Sequence, residues 1–187
     1  MNHPDKQRKP LRLLEYDYSV PGAYFVTLCT QNRACLYGEV ADETMALNAS
    51  GKIVDTVWHS LPTHYPNIIL DAFVVMPNHV HGILFLHPPT IMNEGVINHA
   101  PTQGQDNVGA QFIAPNNNVA LGPIVRGFKA RSTFLINRLL QRHNVKTWQP
   151  GYYDHIIRDD TDLARIRTYI HNNPTQWAWD TENPDSL

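Results

Sequence analysis

The sequence predicts an α+β protein in which helices pack on an antiparallel sheet. Three observations carry this reading. Runs of β-branched and aromatic residues bounded by turn signals mark strands near 24–30, 67–75, 79–86 and 152–158. Apolar residues at helical spacing mark helices near 45–61, 124–143 and 162–172. The resulting order is strand, helix, strand, strand, helix, strand, helix, for which an antiparallel sheet with helices laid on it is the economical packing.

A chain of 187 residues, 42% of them hydrophobic, is long and apolar enough to bury a core, and one domain spanning 1–187 is expected. The formal charge of −2 supplies no global attraction to nucleic acid or membrane, so any such role must come from local patches. Cys29 and Cys35 do not make a disulfide framework or a thiolate zinc site. The polar, basic N-terminus is no secretory signal, and no apolar run reaches membrane-spanning length. A reducing, cytoplasmic setting is therefore expected.

Residues 1–22 form a basic arm ending at Pro21-Gly22. Tyr24–Thr30 is the first strand, with Cys29 a small buried apolar residue in it, and Gln31-Asn32-Arg33 follows as a polar turn. A helix from Met45 to about Leu61 buries Leu47, Ile53, Val54, Val57, Trp58 and Leu61 and ends before Pro62. Two strands then meet at the turn Met76-Pro77-Asn78. Residues 87–123 hold five prolines, many Asn and Gly, and no Lys or Arg, and so read as a long surface insert that cannot build a packed core and is a poor candidate for gripping a DNA backbone. The helix from Ile124 to about His143 buries Ile124, Phe128, Leu135 and Leu139 and carries Arg131, Arg138 and Arg142 on one basic shoulder. Tyr152–Arg158 is a short strand. Acidic caps at 159–162 open the last helix, which Pro174 is expected to stop. The tail through Trp177 and Trp179 gives no clear pattern.

Chemistry concentrates in two places. On the strand 79–86 the side chains of His79 and His81 project to one face, with Cα atoms roughly 6.5–7 Å apart, so both imidazoles can converge on one ion. On the last helix Tyr169 and Asn173 are four apart and share a face. Each pair alone fits simple packing. Together, two imidazoles and an amide carbonyl make a three-ligand site suited to Mg²⁺ or Mn²⁺ with positions left for phosphate oxygens. A phenol with a pKa near 10 needs such a cation nearby to act as a nucleophile.

The blocks Tyr24-Phe25-Val26-Thr27, Met76-Pro77-Asn78-His79-Val80-His81-Gly82, Tyr153–Asp159 and Tyr169-Ile170-His171-Asn172-Asn173-Pro174 resemble the single-tyrosine HUH transposases, and among them the REP-associated tyrosine transposases. The resemblance implies a ferredoxin-like fold acting on single-stranded or hairpin DNA. It makes His79, His81 and Asn173 ligands of a divalent Mg²⁺ or Mn²⁺, and Tyr169 the nucleophile that forms a 5′-phosphotyrosine link. It further implies that basic residues hold the DNA: Arg12 of the arm, Arg33, Arg126, Lys129, Arg131, Arg138, Arg142 and Arg158. No membrane is involved, and monomer and homodimer are both compatible. Two other readings stay open: a host-retained hairpin-binding protein that does not cleave, and a metal-dependent phosphodiesterase that uses water. His155 and His171 are further candidates for proton transfer or for structural roles.

Overall fold

A computed structural model describes residues 17–88, 120–184 and 186. The arm up to residue 16, including Arg12, and residues 89–119 of the insert lie outside the described residues. The chain order is β1 (Gly22–Cys29), β2 (Gly38–Ala41), β3 (Thr44–Leu47), α1 (Ala49–His59), α2 (Leu61–His64), β4 (Ile68–Val75), β5 (His79–Leu86), α3 (Leu121–Leu139), β6 (Tyr153–Ile157) and α4 (Asp160–Gln176). The main sheet has the order β4-β5-β1-β6 with every pair antiparallel, so the expected α+β class holds. With α1 between β1 and β4 and α3 between β5 and β6, this is the split βαββαβ, ferredoxin-like arrangement.

The sheet has two unlike faces because side chains alternate. Tyr24, Val26 and Leu28 of β1 and Val80 and Leu84 of β5 join Val54, Val57 and Trp58 of α1 and Ile124 and Phe128 of α3 in the larger core. Phe25, Ile83 and Ile157 project the other way, onto Ile166 and Ile170 of α4. Gly82 faces the first side, where a Cβ would lie 2.4 Å from the Trp58 ring, so a side chain there would force the indole away. A bulge interrupts the β4–β5 register between Leu70 and Phe73 and turns Asp71 toward α4. Among the described residues no helix is long and apolar enough to cross a membrane.

Four expectations need correction. The helix expected from Met45 begins at Ala49, because Thr44–Leu47 pairs as β3 with β2. Asp42 and Glu43, both at positive φ (48° and 60°), make the tight turn between them, and Asn48 caps α1 by accepting from the Gly51 N–H at 3.0 Å. The α3 stripe runs through Ser132 and Ile136 rather than to Leu139, which is 45% exposed where the helix ends. Ser132 fits this buried stripe because its hydroxyl bonds the Phe128 carbonyl at 2.7 Å and accepts from the Trp148 indole at 3.0 Å. Finally, α4 does not stop at Asn172 but runs through Pro174 to Gln176. Packing of Ile170 and Asn173 against the sheet outweighs the local cost of a proline in the last turn. Cys29 is only half-buried, and its thiol reaches the Glu182 carboxylate at 3.5 Å.

Candidate functional site

β5 sends His79 and His81 to the α4 side of the sheet, as the strand period requires. Both are buried, and their ring centroids are 4.5 Å apart. Each imidazole is held at one nitrogen. His79 Nδ1 bonds the Asn78 amide oxygen at 2.9 Å, so Nδ1 carries the proton and Nε2 the lone pair. The Asn78 amide nitrogen in turn donates to the carbonyls of Glu182 (2.6 Å) and Arg33 (3.2 Å), which fixes its orientation. His81 Nδ1 pairs with the Thr27 hydroxyl at 2.8 Å, across the β1–β5 register. Burial lowers the pKa of both imidazoles, that of His81 well below the ordinary 6.5 with His79 as a second cause. Both are therefore neutral at pH 7, with lone pairs available.

The last helix delivers the phenol. The Tyr169 hydroxyl lies 3.2 Å from His81 Nε2, and its ring stands edge-on to Phe25, which stacks on His81. Burial, then the Asp180 charge, raises the Tyr169 pKa, so the isolated phenol stays protonated and a poor nucleophile. The Asn173 amide, one turn on, partly offsets both the His79 and the Tyr169 shifts. The four residues expected to meet, His79, His81, Tyr169 and Asn173, do meet.

The fit to a cation can be tested on polar satisfaction. Nε2 of His79 and the amide oxygen of Asn173 are buried without any hydrogen-bond partner among the described residues. Buried polar atoms left in this state are costly unless something else binds them. A carboxylate comes to the imidazoles from the tail: ligand atoms of His79, His81 and Asp180 lie within 4.8 Å of one another. Two neutral imidazoles, a carboxylate and an amide oxygen suit a divalent ion of borderline to hard character. Sequence reasoning missed Asp180. It stands in an acidic tail with no periodicity, and its only signal was being the first acid after the tyrosine helix.

The basic residues are scattered. Arg33 is bound to the tail, donating to the Thr181 carbonyl at 3.0 Å and pairing with Glu182 at 3.1 Å. Lys129 turns inward and donates to the carbonyls of Gln149 (2.9 Å) and Gly151, and burial pushes its pKa down to about 8. Arg131 lines a small cleft beside Tyr65, apart from the others. Arg138 and Arg142 stay together with Phe134, His143 and Lys146 around a groove of about 750 Å³, although Arg142 lies beyond the helix end. Arg126 and Arg158 are exposed, as is His171. The expected single basic shoulder is thus corrected to a patch at the C-terminal end of α3.

A cavity of about 520 Å³ opens beside the imidazole–phenol contact, with Thr27, His81, Tyr153, His155, Tyr169 and Asp180 in its wall. It is large enough for a nucleotide-sized group.

No family model matches the chain. An uncharacterized protein of Haemophilus influenzae is 36% identical over 178 residues, covering 92% of this chain and 91% of its own length. Among solved structures, a REP-associated tyrosine transposase bound to a REP hairpin aligns with TM-score 0.54 and 20% identity, over 90% of this chain and 76% of that one. The implied fold is therefore the observed one.

Proposed function

Because this chain belongs to one family with the Haemophilus influenzae protein and has the fold of a REP-associated tyrosine transposase, we propose that it is a DNA transposase of the single-tyrosine HUH type. It cleaves and rejoins single-stranded DNA, at hairpin repeats, through a 5′-phosphotyrosine intermediate. The observation that carries this is the 3.2 Å approach of the Tyr169 hydroxyl to the second of two paired imidazoles.

In this reading Tyr169 Oη forms the bond to phosphorus, the 3′ oxygen leaves, and the phenol proton passes to solvent through the cavity whose wall Tyr169 helps to form. The covalent link keeps the bond energy, so a 3′-hydroxyl can reverse the step without a nucleotide cofactor. His79, His81, Asp180 and Asn173 would hold the divalent ion, Mg²⁺ or Mn²⁺, which stabilises charge on the phosphate oxygens when bound. Asn78 holds the His79 ring in the tautomer that leaves its lone pair on Nε2, and the Thr27 hydroxyl fixes the orientation of the His81 ring. Phe25 sets the angle between phenol and imidazole. Arg138, Arg142 and Lys146, with exposed Phe134 among them, contact the phosphates and an unpaired base of a DNA hairpin.

The test is a labelled hairpin oligonucleotide with Mn²⁺, resolved for covalent protein–DNA adducts. Tyr169→Phe is expected to abolish adducts while hairpin binding persists. Cleavage without adduct that survives Tyr169→Phe would mean a phosphodiesterase using water. Binding with no cleavage by the wild type would mean a hairpin-binding protein.

A further inference from the structure

A second histidine faces the same cavity and takes no part in the arrangement above. His155 sits on β6 directly across from Phe25, on the α4 side of the sheet. Its Nε2 is 2.7 Å from a carboxylate oxygen of Asp162, whose other oxygen takes Arg165 at 2.6 Å. Its Nδ1 has no hydrogen-bond partner among the described residues. The group is thus a carboxylate-oriented imidazole with one free nitrogen in the wall of the candidate active site.

Its place along α4 is telling. Asp162, Ile166 and Tyr169 follow one another at helical spacing on the face that meets the sheet, and seven residues of helix span about 10 Å. Tyr169 therefore stands at one end of the cavity and the His155–Asp162 pair toward the other. In-line displacement at phosphorus puts the entering and leaving oxygens on opposite sides. A phosphodiester attacked by Tyr169 has its leaving 3′ oxygen on the side away from the phenol, toward the imidazole.

We infer that His155, oriented by Asp162, is the proton relay at the 3′ oxygen. This rests on the strand-cleaving function proposed above. In cleavage the Oη–P bond forms, the P–O3′ bond breaks, and O3′ takes the Nδ1 proton of a doubly protonated His155, loaded from solvent, which leaves the neutral ring with its Nε2–H on Asp162. In rejoining the 3′-hydroxyl returns that proton to Nδ1 as O3′–P forms and P–Oη breaks, and Tyr169 regains a proton from solvent. Asp162 is the positioning residue. Its carboxylate, held ionised by His155 and Arg165, accepts the Nε2–H and so leaves Nδ1 as the exchanging nitrogen. The charged and titratable groups around His155 are Asp162, Arg165 and Tyr169 of α4, Tyr153 of its own strand, and Cys29, Asp180 and Glu182 across the cavity.

A sulfur-bridged substrate tests this, because a 3′-thiolate leaves without needing a proton. Adduct formation with Mn²⁺ is timed on oligonucleotides carrying oxygen or sulfur at the scissile 3′ position. His155→Gln is expected to slow the oxygen substrate by about 10²-fold or more and the sulfur substrate by less than about threefold. Full speed on oxygen, or equal losses on both by a folded variant, overturns the inference. If His155→Gln lacks the native circular dichroism, Asp162→Asn replaces it, with a differential of about tenfold expected and equal losses again decisive against. Wild-type protein that forms no adduct with either substrate would remove the cleavage reading itself, and this relay with it.

Discussion

Arg167 grips both carboxylate oxygens of Asp71, at 2.8 and 2.6 Å, two residues before Tyr169. The β4 bulge aims Asp71 at α4, so the pair clamps the phenol's helix to the sheet. The guanidinium holds the Asp71 carboxyl below its ordinary value of 3.8. A carboxylate with a lowered folded pKa contributes stability above the unfolded value and loses it as pH falls through the folded one. Asp71→Asn is therefore expected to lower Tm by a few degrees at neutral pH, a modest loss because Arg167 is half exposed to solvent. Thermal melts should show the gap from wild type closing as pH drops below about 3.8.

Gly82→Ala should be felt through the back of the sheet. The new methyl would stand 2.4 and 2.7 Å from two carbons of the Trp58 indole, which is buried and stacked on Phe73. A destabilisation of about 1–3 kcal/mol is expected by chemical denaturation. Trp58→Phe, which removes those two carbons, should cost less in the Gly82→Ala background than in wild type, and a double-mutant cycle measures the difference.

Asn78 is expected to matter without touching any ion. Its side chain orients His79 and is itself tied to two carbonyls. Asn78→Ala should weaken Mn²⁺ binding by about 10- to 100-fold, read by electron paramagnetic resonance titration after chelator treatment. Asp180→Asn should weaken it as well if the tail carboxylate belongs to the site, and unchanged affinity would remove Asp180 from the set.

The patch at the end of α3 makes a separate prediction. Arg138→Ala with Arg142→Ala should reduce hairpin affinity and lower the salt dependence by about two units of slope. The rate of adduct formation at saturating DNA should hardly change, since neither arginine lines the cavity.

What could be read without coordinates follows local physics. β5 and the turn before it were legible because alternation, β-branching and a Pro-Asn turn agree with one another. That His79 shares a face with His81, and Tyr169 with Asn173, was legible from the strand and helix periods, whereas the meeting of the two pairs was an expectation drawn from the resemblance and not from either pattern. The β2–β3 hairpin was not legible, since Met45 and Leu47 merge into the apolar spacing of α1 and the turn uses Asp42-Glu43 without glycine. The extent of α4 was misjudged because tertiary packing overrides a local proline rule. Asp180, and the inward bonding of Lys129 and Arg33, depend on where an aperiodic tail and the loop at 149–151 come to rest, which no local pattern encodes.

The strand order β4-β5-β1-β6 also has a timing consequence. Of the two inner strands β1 is made first and the histidine strand β5 later, and the tyrosine helix follows both. While the ribosome is still at work the imidazoles are already present but their phenol is not, so a nascent chain, or one cut short by an early stop codon, holds only half of the constellation.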